Sequence, residues 1–210
     1  DPLFFYKEIL IINPFDEGKD LVKEIRYAEN KPEISFFPEG GSLVDNVQSI
    51  IAFKAVNSDG KGCDISGDLY SSSGEIITSF KSTHLGMGYF IFTPITGLSY
   101  YATGKSNYGS LSKADLPKSF PTGLTISVSI TLDRKLLLTV NTNEKTLPSV
   151  INRELNLGFS SRNLFMLTTK IKINSLINNF IIPIDELPEG VIRVTLEGIE
   201  GLPLCERLVY

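Results

Sequence analysis

The chain has 210 residues, 42% of them hydrophobic and 21% charged, with a formal net charge of −4. A chain of this size and composition buries a core without disulfide or metal staples, and disordered and collagen-like classes are excluded. The acidic balance, with a pI of about 5.1, argues against nucleic acid and anionic membrane surfaces as partners, because both call for clustered Lys and Arg.

The first residues, Asp1-Pro2-Leu3-Phe4-Phe5-Tyr6, already look like structure, and no charged, apolar and cleavage-site series of a signal peptide is visible. This points to a piece of a longer protein. The aliphatic run Ile9–Ile12 is far shorter than the roughly 20 apolar residues of a membrane span, so no transmembrane segment is expected. Residues 19–29 fit either a helix, through Leu21, Val22, Ile25 and Ala28, or a short strand.

From there the chain reads as strands separated by turns. Val47–Val56 ends at Asn57-Ser58-Asp59-Gly60, and Cys63–Tyr70 ends at Ser71-Ser72-Ser73-Gly74. Glu75–Lys81, Gly88–Thr93 and Leu98–Thr103 follow. The polar, Gly-containing stretch from Gly104 to Pro117 is the expected boundary between two domains. Beyond it, Thr125–Leu132 alternates apolar and polar residues strictly, turns at Asp133-Arg134 and returns as Leu136–Val140, an antiparallel hairpin with one wet face. Asn163–Ile173, Asn178–Ile184, Val191–Leu196 and Leu204–Tyr210 complete the series. A strand about every 8–12 residues marks a sandwich or barrel. The expected fold is therefore all-β: two tandem antiparallel β-sandwiches of immunoglobulin-like type over 31–104 and 113–210. Residues 1–30 form a strand or linker segment from a preceding domain.

Three apolar-Pro-x-Gly pieces, Phe37–Gly40, Phe120–Gly123 and Leu187–Gly190, read as tight turns leading into strands, with Gly at the fourth place of a type I turn. Gly40 and Gly88 are expected to matter for stability if their backbones need positive φ.

Chemistry is sparse. Among 210 residues there are one His, two Cys and no Trp. No Gly-x-Ser-x-Gly elbow exists, and His84 reads as a loop histidine bonded to backbone. Asn57–Gly62 lacks the acids of a calcium loop and reads as a plain turn. Asp64 and Asp68 share a strand face about 13 Å apart, too far for a glycosidase pair. Asp185, Glu186 and Glu189 surround a turn and read as solvated. Gly86-Met87-Gly88 lacks the strand–helix setting of a phosphate loop. Cys63 and Cys205 read as small buried thiols, since a bridge between domains needs Cα atoms within about 7 Å. No catalytic residue, cofactor or metal ligand is expected. Tyr70, Tyr89, Tyr100, Tyr101 and Tyr108 fit sandwich core and cross-strand pairs. The alternative is that these same tyrosines are ligand contacts of a glycan- or peptide-binding face.

The pieces Ile34–Val44 (with Phe36-Phe37-Pro38-Glu39-Gly40-Gly41), Ile51–Ala55, Gly67–Tyr70, His84–Phe90, Leu187–Gly190 and Pro203–Val209 carry a family resemblance. Over residues 30–210 the chain resembles the macroglobulin-like region (MG2-type, alpha-2-macroglobulin N-terminal) of large Gram-negative cell-envelope proteins. Many of those proteins continue into carboxypeptidase-regulatory-like and TonB-dependent-receptor plug-like segments. The resemblance implies tandem β-sandwiches and export to the periplasm, outer membrane or cell surface. It implies no known activity. The Cys-Gly-Glu-Gln thioester of true alpha-2-macroglobulins is missing, because Cys63 precedes Asp64 and Cys205 precedes Glu206-Arg207. The expected function is a non-catalytic structural or protein-interaction module of a larger exported protein. Its partners are other domains of the parent chain, envelope proteins or glycans. The alternatives are a glycan- or peptide-binding module of a surface nutrient-uptake system and a hydrolase using carboxylates from separate strands.

Overall fold

The computed structural model describes residues 31–107, 109–131, 133, 135–162, 164–183, 190–198 and 200–210. The expected segment 1–30, Tyr108 and the acids at 185, 186 and 189 lie outside the described residues.

Alternation of buried and exposed residues sets the strands, because successive side chains on a strand point to opposite faces. In the first half β1 (Glu33–Pro38), β2 (Ser49–Val56) and β5 (Met87–Phe92) form one sheet in the order β1-β2-β5. Strands β3 (Ile65–Ser71), β4 (Ile76–Lys81), β6 (Tyr100–Ser106) and β7 (Leu111–Asp115) form a second in the order β4-β3-β6-β7. The inner faces of the two sheets share one core, which includes Phe36, Phe53, Phe80, Phe90, Phe92 and Tyr100.

The second half repeats this plan. Strands β8 (Leu124–Ile130), β9 (Lys135–Thr142) and β12 (Ile177–Pro183) form a three-stranded sheet. Strands β10 (Glu154–Ser161), β11 (Leu164–Lys172), β13 (Ile192–Glu197) and β14 (Pro203–Val209) form a four-stranded sheet in the order β11-β10-β13-β14. Strand for strand, this is the order of the first half. The sheets enclose a separate core of Leu138, Leu157, Phe159, Val194 and Leu196 among others. The single turn of helix, α1 (Leu147–Val150), starts at Leu147-Pro148, where a missing N–H costs nothing. The molecule is all-β, two tandem antiparallel sandwiches of immunoglobulin-like type, and all the strand pairs within its sheets are antiparallel.

Three expectations change. The stretch 104–117 is not a linker: it holds the end of β6 and all of β7, which pair as a hairpin, and Leu116 joins the first core. Gly104 sits inside a strand because its neighbour is close; a Cβ there would lie 2.6 Å from the Ile65 side chain. The Phe37–Gly40 turn is displaced by one residue, with Gly41 N–H donating to Pro38 O at 3.0 Å. That places Gly40 third in the turn with φ +82°, and the turn follows β1 rather than leading into a strand. Gly88 needs no positive φ; its constraint is the Phe53 ring, 2.6 Å from where a Cβ would stand.

The two sandwiches meet in a bonded joint. Asp45 N–H donates to Phe120 O and Phe120 N–H to Leu43 O, both at 2.9 Å. Buried Asn143 donates through Nδ2 to Asp45 O and Pro121 O, each at 2.9 Å. Its Oδ1 accepts from Thr146 N–H at 2.9 Å and from Thr146 Oγ1 at 2.7 Å. At the rim Arg207 Nε lies 3.2 Å from Glu39 Oε1. Thr125, on the polar side of β8, is buried here, so the wet face read from the sequence is dry at this end.

Candidate interaction surfaces

The predicted tyrosine set is divided by the strand alternation. Tyr100 and Tyr101 are neighbours on β6 and point to opposite faces. Tyr100 is 5% exposed, meets Phe92 edge-on at 4.9 Å, and its hydroxyl accepts from Ile95 N–H at 2.7 Å. It is a core residue with a satisfied polar tip, and the ligand-contact expectation does not hold for it. Tyr70 and Tyr101 are brought together on the outer face of the four-stranded sheet, stacked at 5.3 Å with 9° between planes. Lys113 Nζ lies 4.0 Å from the Tyr101 centroid. Strands β3 and β7 flank β6, so Tyr70 and Lys113 cover opposite sides of the Tyr101 ring. A sugar stacking on Tyr101 would have to displace one of them. The row is a cross-strand pair with a cation–π cap.

Below this row the same sheet carries a shallow polar groove. One pocket, of about 220 Å³, is lined by Asp64, Ser66, Lys81, Ser82, Lys105 and Asn107 among others. Ser82 Oγ donates to Asp64 Oδ1 at 3.2 Å and accepts from Ile65 N–H at 3.0 Å. Asp68 Oδ1 accepts from Ser79 at 2.6 Å. These acids are held by strand hydroxyls. Cys63 is buried beside the groove, and desolvation pushes its thiol up. Cys205 is buried in the second core, where desolvation pushes its thiol up to about 12. Both thiols are free.

His84 is exposed, in a tight turn where its N–H and C=O pair with Met87. Asp59 pairs with Lys61 at 3.0 Å inside the 57–62 turn. Among the described residues no group of three or more His, Cys, Asp or Glu is placed to hold a metal, and no helix is long and apolar enough to cross a membrane.

Tyr89 belongs to a different surface, the outer face of β1-β2-β5. It is 64% exposed and sits in register with Ala52 and, across β2, with Phe37, which is 55% exposed. Ile50 and Ile91 pair beside them, and Lys54 lies opposite Met87. Lys54 folds toward the neighbouring turn, its Nζ donating to Leu85 O at 2.9 Å. Phe37, Ile50, Met87, Tyr89 and Ile91, all classed as exposed, form an apolar face. Isolated exposed apolar residues need no explanation, whereas a contiguous patch marks a contact surface. A tyrosine-by-tyrosine reading misses this face. Its signal was the unbroken run Tyr89-Phe90-Ile91-Phe92, in which both parities of one strand are apolar.

Strand order and core place the chain in the immunoglobulin-like class of all-β sandwiches. No family model matches the chain, and no curated protein matches it. Among solved structures it is similar to red sea bream transglutaminase, at 12% identity and a TM-score of 0.25. That likeness covers 87% of this chain and 31% of the other, so the chain spans less than a third of that protein's length. At that score the likeness bears on neither fold nor activity.

Proposed function

We propose that the chain is a non-catalytic structural or protein-interaction module of a larger exported cell-envelope protein, related to the macroglobulin-like sandwiches its motifs resemble. The observation that carries this reading is the apolar face of β1-β2-β5, with Phe37, Met87, Tyr89 and Ile91 exposed side by side. A face of this kind suits the flank of another β domain of the same parent chain, because apolar sheet faces pack against one another. The bonded joint supports a spacing role, since it fixes one sandwich against the next. The Phe36–Gly41 motif contributes to both features. Phe36 enters the core, Phe37 lies on the apolar face, and Glu39 and Gly40 lie at the joint. The glycan- or peptide-binding alternative loses Tyr100 to the core and the two faces of Tyr101 to its neighbours.

The test is an immunoblot of fractionated cells of the source organism with antiserum against this chain. A band several-fold heavier than 23.2 kDa in the envelope fraction is expected. A soluble band at 23.2 kDa would overturn the proposal.

A further inference from the structure

A sandwich has corners where the edge strand of one sheet comes near an edge strand of the other. In the first sandwich both corners are closed, β1 packing against β7 and β4 against β5. In the second, β8 packs against β14, but among the described residues β11 and β12 make no comparable contact. The edges flanking this open corner are not equally protected. β11 carries Lys170 and Lys172, the usual charged guard of an edge strand. β12 reads Ile177-Asn178-Asn179-Phe180-Ile181-Ile182-Pro183, has no charge, and among the described residues pairs only with β9.

The backbone groups of β12 that turn away from β9 can be assigned. Thr142 N–H donates to Leu176 O at 2.9 Å. The β9–β12 register runs without a bulge, so antiparallel alternation bonds the even-numbered residues of β12 to β9. It turns the N–H and C=O groups of Ile177, Asn179 and Ile181 toward the open side, where Ile177 O also accepts from Ser175 Oγ at 2.6 Å. The side chains of Ile177 and Ile181 are 64% and 66% exposed on the outer face. Pro183, which has no N–H, ends the strand.

We propose that β12 is a self-association edge, where two copies of this chain pair β12 with β12, antiparallel, about a two-fold axis through Asn179. This register bonds outward-turned groups only to outward-turned groups. It sets Ile177 beside Ile181 of the second copy, Ile181 beside its Ile177, and Asn179 opposite its own counterpart. The two three-stranded sheets become one of six strands. A second copy fits better than an unrelated strand because the sequence complements itself under this symmetry and opposes no like charges. The contact is isologous and closed, so it stops at a dimer. One strand edge buries less than the standard interface of about 1,600 Å², so the dimer is weak.

Sedimentation equilibrium on the full chain, carried to about 1 mM, the weak end of specific association, tests this. The expected result is a monomer–dimer equilibrium that Asn179→Lys abolishes across the series, since it places two like charges on the axis. Asn179 is exposed and its side-chain oxygen accepts from exposed Thr139 Oγ1 at 2.8 Å, so the variant should keep its far-UV spectrum with at most a small fall in melting temperature. As a second measure, Asn179→Cys should oxidise to a covalent dimer, because a hydrogen-bonded antiparallel pair has its Cα atoms about 5.5 Å apart, within disulfide reach. Exposed Ser129→Cys, on the far strand of the sheet, should not. A chain that stays monomeric throughout would overturn the proposal. So would a dimer that survives Asn179→Lys but is lost in Tyr89→Asp, or growth into open-ended aggregates.

Discussion

The two sandwiches have the same strand order and very different interiors. The first is held by rings: Phe53 meets Phe80 edge-on at 5.0 Å, and Phe90 lies 5.9 Å from Phe80 and 6.1 Å from both Phe36 and Phe92. The second is almost wholly aliphatic, with Phe159 the only aromatic among the described residues of its buried core. Two interiors with so little in common therefore arrive at one topology. What they share is period-two alternation and short turns, and these decide which faces meet. Side-chain identity decides how the core responds when it is disturbed.

The comparison breaks most easily at the centres of the two cores. Phe53→Ala should cost about 4 kcal/mol, because it removes a large ring, the 5.0 Å edge-on partner of Phe80 and one of the ring neighbours of Phe90. Leu157→Ala, at the matching depth of the second core, should cost about 3 kcal/mol, since branched aliphatic neighbours close part of the cavity. Urea unfolding of both variants measures the difference, and equal losses would mean the ring geometry adds nothing.

A somewhat smaller loss is expected at the joint. Asn143→Ala leaves Asp45 O, Pro121 O and Thr146 N–H without the Asn143 bonds and should cost about 2–3 kcal/mol. Calorimetry should then resolve two transitions, one for each sandwich. A single transition with unchanged width would show that the sandwiches do not depend on this bond for their coupling.

Gly40→Val and Gly88→Val should each lower the melting temperature, by about 1–2 kcal/mol in free energy. At Gly40 the cause is positive φ together with the Ile126 backbone 2.9 Å from a Cβ, so the effect falls on the joint. At Gly88 the cause is the Phe53 ring together with the Lys81 carbonyl, 2.6 and 2.7 Å from a Cβ, so the effect falls on the first sandwich alone. Gly40→Ala should retain the penalty of φ. Gly88→Ala, smaller but still pressed on Phe53, should recover part of the Val loss.

Arg207→Ala should cost under about 1 kcal/mol, because Arg207 is half exposed and a surface ion pair gains little. The smallest effect belongs to two turns, one in each sandwich, that carry an Asp–Lys pair two residues apart: Asp59–Lys61 between β2 and β3, and Asp133–Lys135 in the β8–β9 hairpin. The hydrogen bonds from Lys135 and Thr131 hold the Asp133 carboxyl at about 2, below its ordinary 3.8. A depressed carboxyl contributes stability above its unfolded value and loses it as pH falls through the folded one. Asp133→Asn should therefore be slightly less stable than the parent at neutral pH, with the difference shrinking below about pH 3.8 and vanishing below the folded value of about 2, as thermal melts across pH will show.

The strand content, the antiparallel arrangement and the β8–β9 hairpin were legible in the sequence, because alternation and turn residues act locally. The alternation of Leu155, Leu157 and Phe159 in β10 was equally local and went unread. The stretch 104–117 misled for a physical reason: polar, Gly-rich composition serves a hairpin tip as well as a linker, and only the pairing of β6 with β7 separates the two. The tyrosines show the same limit. Alternation predicts that Tyr100 and Tyr101 face opposite ways, but which of them is buried depends on where the other sheet lies.

By itself, then, the sequence determined the secondary structure class, the approximate strand spans and the scarcity of His and Cys. Tertiary structure decided the rest. It buried Thr125 and Asn143 in a joint between residues far apart in the chain, stacked Tyr70 on Tyr101, and, among the described residues, left the apolar face of β5 and the edge of β12 uncovered. Those outcomes rest on contacts between strands distant in sequence, and local residue pattern does not encode which distant surface each strand will meet.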